Sequence, residues 1–166
     1  MCIRDRGRAF PPYAFLPGRD PHPTRDPAGH SFGHDEPPPP FLSVERWLEN
    51  EPYLWGADLY NHGFLWEAHE AWEGLWHVAK ARDATQALFL QGLIQTAAAW
   101  LKIPMAQPAG VQRLSELALE KLEGVARAAG TPYMGLDLAG FARDVRAFAA
   151  SAPASIEGRP RVELAS

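Results

Sequence analysis

Hydrophobic residues fall at helical spacing over most of the chain. Phe64, Ala68, Ala71, Trp72, Leu75 and Ala79 recur every three or four positions, which predicts an amphipathic helix over 64–80. A polar loop, 80–85, separates it from a strongly apolar helix over 86–103, which Pro104–Pro108 breaks. Val111, Leu114, Leu117, Ala118, Leu122 and Val125 mark the next amphipathic helix, closed by Gly130. Leu138, Phe141, Ala142, Val145, Phe148 and Ala149 mark the last. Upstream, Ser43 follows a proline run as an N-cap and starts a short helix over 43–51; 53–61 is a second short candidate. His62-Gly63 then makes a turn, with glycine supplying the unusual backbone angle. No segment alternates at period two. The pattern predicts an all-α fold: a compact bundle of four main antiparallel helices over 41–152, plus one or two short N-terminal helices.

The first 40 residues have a different texture. They hold ten of the 16 prolines, including Pro37–Pro40, and balance five Arg against five Asp or Glu. With little apolar periodicity to bury, the segment is expected to be a mostly disordered arm, and 153–166 a flexible tail. Met1-Cys2-Ile3-Arg4-Asp5-Arg6 back-translates to a string resembling a transposase mosaic end used in sequencing libraries. We therefore expect 1–6 to be adapter read-through, which would leave the native start unknown. Recovery of the same six codons with a different library chemistry would refute this.

Composition narrows the function. The chain has 166 residues, enough for one domain with a core. A net charge of −4 argues against nucleic acid as a partner. Gln91, Gln95 and Lys102 within the apolar run argue against a membrane span. A single cysteine excludes an internal disulfide and a cysteine-based zinc site, and there is no stretch suited to a signal peptide. A cytoplasmic location is the expectation.

The candidate chemistry lies in Trp66-Glu67-Ala68-His69-Glu70-Ala71-Trp72-Glu73-Gly74-Leu75-Trp76-His77. On a helix Glu67 falls on one flank of the apolar face and His69, with Glu73 one turn on, on the other. Three readings follow. In the first, His69 and Glu73 at i, i+4 hold a divalent metal and Glu70 stands where a zincin has its general base, although Glu replaces that motif's second His. In the second, Glu67, His69, Glu70 and Glu73 meet Gln91, Gln95 and Lys102 of the next helix. Gly92, Thr96 and Ala99 would then let the two helices approach. The resulting polar site, walled by Trp72 and Trp76, would bind a small polar ligand or cation. In the third, the charged residues are a solvated face and His69 ties two helices together. The seven Asp or Glu against one Arg over 43–77 mean that these carboxylates are exposed or that something positive binds there. Exposed Trp72 and Trp76 would instead suit docking of another protein.

Two blocks carry a family resemblance: Leu59-Tyr60-Asn61-His62-Gly63-Phe64-Leu65-Trp66-Glu67-Ala68-His69-Glu70-Ala71-Trp72-Glu73-Gly74-Leu75-Trp76, and Phe89-Leu90-Gln91-Gly92-Leu93-Ile94-Gln95-Thr96-Ala97-Ala98-Ala99-Trp100-Leu101-Lys102. In sequence and spacing they resemble the bacterial and archaeal family called domain of unknown function 309, over about 53–150. The resemblance implies a compact all-helical fold and, as an expectation only, the metal-dependent hydrolase activity predicted for some members. It marks Glu67, His69, Glu70, Glu73, Gln91, Gln95 and Lys102 as the positions of interest.

Overall fold

A computed structural model describes residues 7–165; the adapter-like residues 1–6, with Cys2, lie outside the described residues. A short 3-10 helix, Val44–Glu49, precedes five α-helices. These are α1 (Glu51–Asn61), α2 (Leu65–Ala79), α3 (Ala84–Leu101), α4 (Pro108–Ala129) and α5 (Leu138–Ala150). Helices adjacent in sequence pack against one another, and the described residues contain single β-bridges but no strand.

Several boundaries follow from capping chemistry that periodicity does not register. The Asn50 side chain accepts from Tyr53 N, and Pro52 sits in the first turn, so α1 begins before its first apolar residue. Asp83 accepts from Gln86 N and starts α3 at Ala84. Pro108 opens α4, three residues ahead of Val111, because the first turn needs no amide donor there. Gly63 and Gly130 take positive φ of 87° and 86° where α1 and α4 give way to loops.

The core is aromatic, and its polar atoms are paired. Trp72 and Trp100 are fully buried with Tyr53, Tyr60 and Phe89. Trp72 Nε1 donates to Tyr53 O at 3.1 Å, and Tyr53 OH donates to Met134 O at 2.9 Å. Trp100 Nε1 donates to the Tyr60 hydroxyl, which donates onward to Pro160 O. These bonds let two indoles and two phenols lie inside without orphaned donors. Burial pushes both phenols well above their ordinary pKa. Close helix approach depends on glycine. A Cβ on Gly56 would stand 2.3 Å from Trp72 Nε1, and one on Gly92 would stand 2.7 Å from Leu122 Cδ2. Gly92 therefore serves the contact of α3 with α4, not the expected approach of α2 to α3.

Both ends of the chain pack on the helices, where a mostly disordered arm and a flexible tail are expected from sequence. Residues 7–40 contain no helix, as their prolines dictate, yet they lie against α1 and α2. Phe10 stacks on Trp55 and Phe64 at centroid distances of 5.2 and 5.3 Å. Phe15 is buried, edge-on to Trp66. Three isolated aromatics, Phe10, Tyr13 and Phe15, give no periodicity, but their area is enough to dock an irregular segment. At the other end Val162 and Leu164 are buried. Asn61 holds the Val162 backbone on both sides, donating to its O and accepting from its N, each at 2.9 Å. Arg159 Nη2 donates to the Tyr60 and Asn61 carbonyls at the C-terminus of α1, at 2.7 and 3.0 Å.

Candidate cation site

Helix α2 buries Leu65, Ala68, Trp72, Leu75 and Ala79 and leaves its polar residues on two flanks. One flank gathers His69, Glu70 and Glu73. His69 Nδ1 lies 3.4 Å from Glu70 Oε1, and His69 Nε2 lies 3.9 Å from Glu73 Oε2. His77 Nε2 stands 3.9 Å from the other Glu73 oxygen. One ligand atom from each of His69, Glu70 and Glu73 falls within 4.8 Å of the others. The side chains are 28%, 46% and 37% exposed, so solvent reaches the group from one side. His69 Nδ1 is itself buried and has no hydrogen-bond partner.

These donors fit a small divalent cation. Tetrahedral zinc with bonds of about 2.0–2.2 Å places its ligand atoms roughly 3.3–3.6 Å apart; one imidazole nitrogen and one oxygen from each carboxylate lie within 4.8 Å of one another, so modest side-chain rotation would bring them to that spacing. The donor set, one imidazole and two carboxylates, is one that zinc and manganese accept. Glu70 is read from sequence as a general base. In the structure its carboxylate stands among the donors, next to the orphaned imidazole nitrogen. All three ligands come from one helix: His69 and Glu73, at i and i+4, are neighbours on its surface, and Glu70, about 100° further round, comes within 3.4 Å of His69 through its side chain.

Glu67 belongs to the other flank and to different partners. Its Oε1 accepts from Phe15 N at 2.9 Å and lies 2.9 Å from His30 Nε2. The His30 and Glu67 side chains are only 4% and 6% exposed. Glu67 Oε2 is buried with no hydrogen-bond partner. Sequence reading misses His30, because it lies in the segment expected to be a mostly disordered arm. The aromatics Phe10, Tyr13 and Phe15 were the signal that this segment docks. Between it and the helices runs a groove of about 940 Å³, to which Glu67, Glu70 and His77 contribute.

The remaining expected site residues lie on or just beyond α3, apart from the two tryptophans. Gln91 and Gln95 are half-buried on α3, and Gln95 Oε1 is buried without a partner. Lys102 packs against Gly110 and lines a separate hollow of about 700 Å³ where α3, α4 and α5 meet. Trp72 is fully buried and is a core residue, so it neither walls a pocket nor offers a docking surface. Trp76 is half-buried beneath Lys80, whose Nζ lies 3.9 Å from the ring centroid. The seven positions are thus a half-exposed triad, a buried carboxylate, two glutamines of α3 and the lysine that follows that helix.

Residues 53–114 match the family model described as Domain of unknown function (DUF309). The helical core of the chain is thus similar to that family over 62 of its 166 residues. No curated protein and no solved structure matches the chain. The matched span takes in α1, α2, α3 and the start of α4, and so all the candidate residues. It ends short of the stretch to 150 that the resemblance suggests. Residues 7–40, with His30, and the segment that holds α1 from the C-terminal side lie outside the matched DUF309 span. No helix among the described residues is long and apolar enough to cross a membrane.

Proposed function

We propose that this protein binds a small divalent cation through His69, Glu73 and Glu70. The observation that carries the reading is the buried, unpartnered Nδ1 of His69, with a Glu70 carboxylate oxygen 3.4 Å away and one donor atom of each of His69, Glu70 and Glu73 within 4.8 Å of the others. A buried polar atom without a partner is unfavourable, and a cation held by these groups removes that penalty. Two carboxylates beside one imidazole also repel less when a positive charge sits between them. A cytoplasmic setting accompanies this reading, because residues 7–166 hold no cysteine to form a disulfide.

A metal-dependent hydrolase is the enzymatic form of the same reading. What favours it is Glu70, which belongs both to the donor set and to the wall of the 940 Å³ groove. A bound divalent cation supplies a Lewis acid and lowers the pKa of a bound water. The chain's own part would be to orient the donors on a rigid helix and to hold a substrate in the adjoining groove.

The test is metal content of the full, untagged protein by plasma mass spectrometry, after equilibration with zinc or manganese and removal of free ion. Near-stoichiometric metal is expected, with loss in His69→Ala and in Glu73→Gln. Equal metal in wild type and His69→Ala, or none in either, would overturn the reading.

A further inference from the structure

The groove between residues 8–40 and helices α1 and α2 has a chemistry of its own. Glu36, Glu67 and Glu70 line it against the single guanidinium of Arg8, with Trp55 and Trp66 as aromatic surface. Glu67 is the informative residue. Its side chain is 94% buried by its 6% exposure, its Oε1 is engaged by Phe15 N and His30, and its Oε2 has no donor. The chain also places one organic cation in this groove. The Arg8 guanidinium lies 4.9 Å from the centre of the Trp55 ring, with Nη2 2.9 Å from Glu36 Oε1. An aromatic face together with a carboxylate is the usual recognition chemistry of guanidinium and ammonium groups.

We propose that this groove binds an organic cation bearing a guanidinium or primary amine. Its charged end is held by Glu67 and Glu70, and its body lies along Trp55. Three carboxylates face one guanidinium and the imidazoles of His30, His34 and His77, so with the imidazoles neutral a positive ligand is favoured over an anion, and the indoles favour an organic cation over a bare metal ion. The inference goes beyond the metal reading. It shares Glu70 with that site but uses neither His69 nor Glu73, and it stands if no metal binds.

The probe is agmatine, which carries a guanidinium at one end and an amine at the other. It is titrated calorimetrically into the full, metal-stripped protein, with glycerol as an uncharged control. Saturable one-to-one binding is expected for agmatine and none for glycerol. Glu67→Gln should weaken binding about tenfold, the scale of one charge-assisted contact. Arg8→Ala removes the internal guanidinium from Trp55 and should tighten binding. Arg8 is half-exposed, so this variant tests the proposal without threatening the fold. Should Glu67→Gln fail to fold, the more exposed Glu70→Gln takes its place. His69→Ala should leave agmatine affinity unchanged while abolishing metal uptake, which separates the two sites. No saturable binding in wild type and Arg8→Ala, or equal affinity in the carboxylate variant, would overturn the proposal.

Discussion

Glu67 and Glu73 sit less than two turns apart on one helix and live in different environments. Glu67 is buried under a segment more than 35 residues upstream, bonded to Phe15 N and His30. Glu73 is over a third exposed and stands 3.9 Å from two imidazoles, hydrogen-bonded to neither in any tight geometry. One carboxylate is tied to the fold and the other is left loosely placed. A compact run of Glu and His on a helix is therefore not one site. Its members are sorted by what covers each flank, and here the outer segment covers one and solvent the other.

The largest effect expected separates the interior of α2 from both flanks. Trp72→Ala should destabilise the protein by about 3–5 kcal/mol, as for other buried tryptophans, while Trp76→Ala on the half-buried side costs much less. Chemical denaturation measures both, and similar losses would mean that the core assignment of Trp72 is wrong. Next, zinc at 100 times its Kd should raise the stability of wild type by about 2.7 kcal/mol and leave His69→Ala unmoved. A zinc-induced rise in melting temperature that survives His69→Ala would place the cation elsewhere.

Glu67→Ala should cost about 1–3 kcal/mol, because the Phe15 amide and His30 lose a buried acceptor. Limited proteolysis should then cut within 7–40 faster than in wild type. Glu73→Ala should change stability by less than about 1 kcal/mol, as half-exposed ion pairs usually do, and leave the digestion pattern as it was. Equal proteolysis in the two variants would erase the contrast between the flanks. The smallest effect lies far from α2. The Gly140 amide and then the Thr131 hydroxyl hold the Asp137 carboxyl below its usual range. A lowered folded-state pKa means that this cap stabilises fully above the ordinary carboxylate range and is lost as pH falls through the lowered value. Asp137→Ala should therefore flatten the acid limb of melting temperature against pH and leave metal uptake intact.

Local pattern was sufficient for the helices. Apolar spacing of three and four residues, with proline and glycine at the breaks, marks each of α1 to α5 to within a few positions, because a helix face is a short-range property of the chain. Side-chain caps at Asn50, Asp83 and Asp137 account for several of the shifted boundaries. The opposite flanks of Glu67 and His69 were also legible, since they follow from the 100° advance per residue.

The occupants of those flanks were not legible. His30 reaches Glu67 across 37 residues, and Arg159 reaches Tyr60 across 99; no periodicity links such pairs. Trp72 and Trp76, one turn apart and alike in sequence, separate into a sealed core residue and a half-covered one according to what packs above them. The sequence by itself determined where the chain is helical and which residues share a face, because those depend on near neighbours. Only the tertiary structure decided which carboxylate is buried, which imidazole nitrogen is orphaned and where a groove opens. Those depend on distant segments whose docking rests on burying a few isolated aromatics, a gain that appears only once the helices have created the surface to receive them.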